Sequence, residues 1–547
     1  MLLALLLKMF LIQAVDLEYG AAFLKQQGDR RTIREEVVSA NRGQIVDRRG
    51  APLAISTPVE SIWFDPKFFN PTGEKLEQLA FLLEMNPEKI KKKMQRYQKR
   101  RFVYLKKGVS PFEADSVEAL GINGVFSQSD YQRFYPAGEV TANLLGYTNS
   151  DGEGLEGLEY AYDQWLTGSD GSRRVVKDLY GRTIKVLGQP KDPEVGKDLT
   201  LSIDLRIQFL AYRALKNAVI HHRAASGSIV VLDNKTGEVL AMVSQPSFNP
   251  NDRSRIDMSH VKNRAVTDVY EPGSTMKPLA MLAILESGKV NAEDVINTSP
   301  GYIRLGKKTL MDPRNYGAMT VTKIITKSSQ VGMSKLALSI DADKIPLMSN
   351  RLGLGQFIGT GMPGENGGYV PHDIYWSDIE RATLSYGYGL TVNTLQLAKA
   401  YSVLGAKGKL NPVSLLKQSE TVNGKQVVAP EVAAEVLSMI QTVTTNEGTG
   451  RRARTSAYSV AGKTGTSHKV GASGYDAKYN SLFAGVAPAN DPKITVVVSI
   501  DDPKGKQYYG GEVAAPIFGE VVAGSLRLLE VPPDLLVSRY MNNQGAM

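Results

Sequence analysis

Glu271-Pro272-Gly273-Ser274-Thr275-Met276-Lys277-Pro278 is the stretch on which the fold and chemistry of this chain turn. Pro272 and Gly273 resist a helix interior and Pro278 is tolerated only in a first turn, so the local chemistry predicts a helix starting at or close to Ser274. Residues three apart are neighbours on a helix, which puts Ser274 and Lys277 on one face. A serine hydroxyl is a weak nucleophile until a base takes its proton, and a partly desolvated lysine can be that base. The positive end of the helix dipole favours the developing alkoxide. Taken alone, a serine and a lysine at this spacing fit an exposed surface pair as well as an active site.

Two polar clusters downstream add to it. Lys463-Thr464-Gly465-Thr466 follows the strand-like segment Tyr458-Ser459-Val460-Ala461. Gly465 removes a side chain where a substrate backbone must lie close, and Lys463 places a charge that can hold a carboxylate. Gly462-Lys463-Thr464 nearly completes a phosphate-binding P-loop, but the position five residues before Gly462 is Ala457 instead of glycine, which argues against one. Between the two lysines, Ser328-Ser329-Gln330 opens the run Val331 to Leu338.

The chain has 547 residues, too long for one ordinary core, and this predicts two or three domains. With 42% hydrophobic and 22% charged residues it reads as globular. A formal net charge of +9 is mild at this length and does not imply nucleic acid. Absence of cysteine excludes disulfides, thiolate metal sites and cysteine nucleophiles. The five histidines, His221, His222, His260, His372 and His468, form no H-E-x-x-H pattern, and no G-x-S-x-G elbow supports a histidine-based triad.

Met1 to Val15 is apolar except for Lys8 and Gln13, shorter than the roughly 20 residues a spanning helix needs. It lacks the basic start and small-residue cleavage site of a signal peptide. The expectation is an anchor helix whose beginning is missing, over residues 1–24, with a buried N-terminal helix as the alternative. Gly188 to Gly196 is rich in breakers and reads as a linker. Beyond it, Leu199 to Ile203 reads as a strand, Arg206 to Val219 as a helix, Ser228 to Leu232 and Glu238 to Val243 as strands around a turn, and Ile494 to Ile500 as a central strand. Strands, a long helical middle and strands again predict one α+β domain over 197–533. Ten Lys or Arg and no acidic residue lie between Lys89 and Lys107, either a solvated helix face or a contact for anionic lipid or an acidic partner.

With these residues in view, the chain resembles the penicillin-binding proteins, which carry S-x-x-K, S-x-N and K-T-G motifs as a set. Arg42-Gly43-Gln44-Ile45-Val46-Asp47-Arg48, Arg133-Phe134-Tyr135-Pro136-Ala137-Gly138 and Gly154-Leu155-Glu156-Gly157-Leu158-Glu159 look like the pedestal of class B members. Ser385-Tyr386-Gly387-Tyr388-Gly389 and Tyr508-Tyr509-Gly510-Gly511 look like the division-type, FtsI-like branch from Gram-negative bacteria. The likeness runs from about residue 16 to 533.

The resemblance implies a transpeptidase domain with an antiparallel sheet, flanking helices and an all-helical subdomain. An elongated α/β pedestal over 25–190 would precede it and a flexible tail over 534–547 would follow. It implies a peptidoglycan D,D-transpeptidase of the division septum in which Ser274 attacks the penultimate D-alanine carbonyl, Lys277 takes the proton and Ser328 relays protons to the leaving amine. The oxyanion would lie between the backbone N–H groups of Ser274 and Thr466. Lys463, Thr464 and Thr466 would bind the substrate carboxylate, which β-lactams mimic, with Gly465, Ser329, Tyr386, Tyr508 and Tyr509 also at the substrate. No metal or organic cofactor is implied. No glycosyltransferase segment precedes the pedestal, so the implied partners are a SEDS-type glycan polymerase and other divisome membrane proteins, with a single-pass inner-membrane anchor and a periplasmic catalytic domain. A β-lactamase is disfavoured because no E-x-x-x-N lies between Gln330 and Lys463; the alternatives kept are a D,D-carboxypeptidase and a silent β-lactam sensor or divisome scaffold. One position departs from the family, since Gln330 stands where division-type members usually carry asparagine.

Overall fold

Ile229-Val230-Val231-Leu232 and Leu240-Ala241-Met242-Val243 are unbroken apolar runs, the pattern of strands covered on both faces. In the computed structural model of the protein they lie in two antiparallel strands, Ser226–Asp233 and Val239–Gln245. The structure describes residues 4–5, 8–10 and 21–535, apart from 179–182, 253, 255, 373–374, 420–422 and 472–473. Ile494–Asp501 pairs with the first strand, and Gly474–Ala487 and then Ala461–Gly471 complete a five-stranded sheet in which every pairing is antiparallel.

Alternation along these strands feeds two cores. Ile229 and Val231 join the helices Leu205–His221 and Gly510–Leu528 on one face, while Val230 and Leu232 join a larger cluster with Thr394–Gly405 on the other. Asp204 caps the first of these helices by accepting from Arg206 N. Between Gln245 and Ala461 the chain is largely helical, with Lys277–Glu286, Val321–Lys327, Gln330–Ser339, Lys344–Arg351, Asp378–Leu384, Thr394–Gly405 and Pro430–Thr442. The strand Ala461–Gly471 is a sheet edge, and it packs on the turn Gly273–Met276.

The preceding region is a mixed α/β unit. Its long strand Pro52–Phe64 pairs with Ile45–Val46, Val103–Val109 and Val125–Phe134, and Ile45–Val46 pairs in parallel with Leu199–Thr200. The motifs that carry the family likeness converge in one buried ion network. Glu159, fully buried, accepts from Arg42 Nε at 2.8 Å and Arg133 Nε at 2.6 Å, while Arg42 Nη1 reaches Asp163 at 2.7 Å. A buried charge is tolerated only when paired and hydrogen-bonded, so these residues depend on one another.

Three expectations change. Gly188 to Lys191 is not linker but the end of the strand Thr183–Lys191, which pairs with Gly171–Lys177. Its residues are all exposed at the edge of a three-stranded sheet, where Gly188 and Pro190 are tolerated because an outer edge needs no ladder donor. Lys463 to Thr466 does not follow a strand; it lies inside Ala461–Gly471. Asp534 is docked, accepting from Ser459 N at 2.9 Å and Asn490 Nδ2 at 3.0 Å, so only 536–547 of the expected tail remain, outside the described residues. Most of Met1 to Val15 also lies outside them; among the described residues no helix is long and apolar enough to cross a membrane.

Candidate active site

Ser274 lies in the 3-10 turn Gly273–Met276, and the α-helix Lys277–Glu286 continues from it with Pro278 in its first turn. Contacts from three other elements pin this turn. Gly273 N donates to Gly387 O at 3.1 Å, Ser467 Oγ to Glu271 O at 2.7 Å, and Tyr401 OH to Thr275 O at 2.6 Å. Pro278 has no N–H to close a 3-10 ring on the Thr275 carbonyl, and the fully buried Tyr401 hydroxyl takes that place. Gly387 has φ +87°, and a β-carbon there would fall 2.2 Å from Gly273 O, so the Ser385 to Gly389 loop meets the turn backbone to backbone.

Gly465 serves the same turn, a role the sequence reading did not give its bareness. A β-carbon at Gly465 would lie 2.9 Å from Thr275 Cγ2 and 3.0 Å from Pro272 O. The missing side chain lets the edge strand close on the nucleophile turn.

The helix Val321–Lys327 ends on Ser328, held left-handed at φ 60° and ψ 37°. A non-glycine residue there costs about 1–3 kcal/mol, recovered only where the surroundings fix it. That twist turns both oxygens of Ser328 toward Lys277, whose Nζ donates to Ser328 O at 2.5 Å and to Ser328 Oγ at 3.1 Å. Lys463 Nζ donates to the same Oγ at 2.9 Å and lies 3.2 Å from Thr464 O. Both lysines are fully buried. Burial lowers Lys277 to about 7, against a partial pull upward from Asp312, and burial together with Lys277 pushes Lys463 well below the usual lysine range. Among the described residues nothing hydrogen-bonds to the Ser274 hydroxyl, and it is partly exposed.

The other expected residues divide. Thr464 Oγ1 contacts Thr449 Oγ1 at 2.7 Å, and Thr466 Oγ1 accepts from Gly510 N at 3.0 Å. Tyr386 places its ring 6.0 Å from Lys277 Nζ. Tyr508 stacks on both Tyr509 and Tyr479, and of the three only Tyr509 is exposed. Ser329 is fully buried, so it presents no atom to a ligand here; it caps the helix Gln330–Ser339, accepting from Gly332 N at 2.9 Å and donating to Asp312 at 2.5 Å.

Asp312, Tyr401, Gly387 and Glu271 were not assigned roles from sequence. Asp312 also accepts from Gln330 N at 2.6 Å and Val331 N at 3.3 Å, so one buried carboxylate holds Ser329, Gln330 and Val331. Glu271 accepts from Gly389 N at 2.8 Å and Tyr475 OH at 3.2 Å, and burial raises its pKa. Gly387 and Glu271 lay inside quoted motifs, whereas Asp312 and Tyr401 left no readable sign.

Gln330 is half-buried beside this turn, its backbone fixed by Asp312. Its amide retains the donors and acceptors of asparagine one methylene further out. On the expectation that the turn accommodates that length, Gln330→Asn should leave the second-order acylation rate with benzylpenicillin unchanged or lower, and Gln330→Ala should lower it clearly. A tenfold faster Gln330→Asn, measured by stopped flow, would show that glutamine misplaces the amide.

Two buried lysines, one three residues after Ser274 at a helix start and one on the sheet edge, bridged by the hydroxyl of a second serine, are the parts of a serine acyl-transfer centre. The chain belongs to the penicillin-binding protein family: residues 227–523 match the penicillin-binding protein transpeptidase domain and 37–201 the penicillin-binding protein dimerisation domain. It is 43% identical to a probable peptidoglycan D,D-transpeptidase PbpC of Pseudomonas aeruginosa, over 94% of this chain and 91% of that one. It is 42% identical to the peptidoglycan D,D-transpeptidase FtsI of Escherichia coli, over 95% and 90%. Among solved structures, a peptidoglycan synthetase from Bifidobacterium adolescentis aligns with a TM-score of 0.72 at 26% identity, covering 92% of this chain and 98% of that one. The transpeptidase domain of Burkholderia pseudomallei penicillin-binding protein 3 aligns at 0.57 and 38%, covering 61% and 97%.

Proposed function

We infer that this chain is a peptidoglycan D,D-transpeptidase of the division-type branch, acylated by β-lactams at Ser274. The observation that carries the reading is the convergence of Lys277 and Lys463 on Ser328 Oγ next to the nucleophile turn. Near neutral pH burial leaves Lys277 partly unprotonated, able to accept the Ser274 proton as that hydroxyl attacks the penultimate D-alanine carbonyl. Ser328, hydrogen-bonded to both lysines, can pass a proton to the leaving D-alanine amine. The backbone N–H groups of Ser274 and Thr466 would receive the oxyanion, and Lys463, Thr464 and Thr466 the terminal carboxylate. The amine of a second stem peptide then resolves the acyl-enzyme. A scaffold that is never acylated has no use for a lysine that burial holds near 7, and this favours a protein that is acylated.

The test is turnover. A D-Ala-D-Ala stem pentapeptide offered with an acceptor stem should yield free D-alanine and a cross-linked dimer by mass spectrometry. Release of D-alanine with only hydrolysed tetrapeptide would favour a carboxypeptidase, and no release a sensor.

The remaining parts of the reading rest on the resemblance and on the apolar start of the chain: division into anchor, pedestal, transpeptidase domain and tail, a single-pass inner-membrane anchor with the catalytic domain in the periplasm, and assembly with a SEDS-type polymerase. A chain beginning at Lys25 should stay soluble without detergent and bind penicillin fully. Loss of penicillin binding on that truncation would favour the buried-helix alternative for Met1 to Val15.

A further inference from the structure

Half of the basic run is accounted for by local pairing. Lys91 pairs with Glu88, Arg101 with Asp65, Lys106 with Glu84 and Lys107 with Asp151, and Lys93 Nζ donates to the carbonyls of Tyr104 and Leu105. Lys89, Lys92, Arg96, Lys99 and Arg100 are exposed and have no ion-pair partner among the described residues. All five lie on the helix Pro87–Arg96 and the four residues after it. Lys89, Lys92 and Arg96 fall at i, i+3 and i+7, one face of the helix, and span about 10 Å along its axis. The guanidiniums of Arg96 and Arg100 lie 5.4 and 5.0 Å from the Tyr97 ring, a stacking that holds planar donors outward.

We propose that this pedestal helix docks the carboxylates of the peptidoglycan polymer, apart from the cleft around Ser274. The proposal rests on the transpeptidase reading, because stem peptides end in carboxylates and recur along a glycan, a repeated anion suited to a row of cations. A membrane surface fits less well. A helix lying on a bilayer needs a free apolar face, and here Ile90 is fully buried and Met94 and Tyr97 pack on the pedestal core.

The test is co-sedimentation of the full chain, its Ser274 already acylated by penicillin, with purified insoluble peptidoglycan. The parent should bind with an affinity that falls as salt rises. The triple change Lys89→Glu, Lys92→Glu and Arg96→Glu should weaken binding by about tenfold or more, and the matching triple change to glutamine by less. Amidating the carboxylates of the polymer should weaken binding of the parent as much as the glutamate variant does. Penicillin acylation should proceed at the parental rate in both variants, so a fault in the catalytic reading shows separately. Parental sedimentation of the glutamate variant, full binding to amidated polymer, or tighter binding of the parent to vesicles of anionic phospholipid than to peptidoglycan would each overturn the proposal.

Discussion

Ser274→Ala should abolish covalent labelling by a fluorescent penicillin and leave thermal unfolding nearly unchanged. The two halves of this expectation have separate causes. The Ser274 hydroxyl has no hydrogen-bond partner among the described residues, so alanine leaves no buried group unsatisfied. The turn is pinned through backbone atoms, by Gly387 O on Gly273 N and by Tyr401 OH on Thr275 O, and neither contact involves the serine side chain. Geometry therefore survives while the attacking atom disappears. Catalytic nucleophiles removed in this way cost on the order of 10⁶-fold in rate, which for penicillin labelling means none above background. Labelling that persisted in the variant, mapped by peptide mass spectrometry, would move the nucleophile to another residue.

Legibility of this molecule in its sequence followed the length scale of each interaction. Strands such as Ile494–Asp501 and helices such as Leu205–His221 were readable because apolar runs and periodicity are local. The start of the nucleophile turn was readable for the same reason, since Pro272, Gly273 and Pro278 act on their own neighbours. Thr183–Lys191 was misread because Gly188 and Pro190 signal a break, and only its place at a sheet edge makes them harmless. Roles set by distant partners left no local sign. Asp312 lies 17 residues before Ser329 and Tyr401 lies 126 after Thr275, and nothing in either neighbourhood announces the contact. Ser329, read as a substrate contact from its motif, turned out to spend its hydroxyl on a helix cap.

Lys277→Met should lower the acylation rate by about 10³-fold or more and at the same time raise the melting temperature at neutral pH. General-base removal typically costs about 10²–10⁴-fold, and Lys277, which follows Ser274 by three residues where the turn passes into the helix, is the lysine the proposed reading makes the base. For the parent, the acylation rate should climb as pH rises through about 7, since the unprotonated amine is the competent form. Stability responds to the substitution in the opposite direction. Folding takes Lys277 from 10.5 to about 7, so between those values the unfolded chain binds more protons and the folded state is penalised. The penalty is complete below about 7, on the order of a few kcal/mol, and fades as pH approaches 10.5. Methionine is similar in length and carries no charge to desolvate, so it removes the penalty at the expense of two hydrogen bonds to Ser328. The gap in melting temperature between variant and parent should accordingly be widest near pH 7 or below and shrink toward pH 10. A variant less stable than the parent across that range would mean that the contacts to Ser328 outweigh desolvation, and that Lys277 is a structural tie as much as a base.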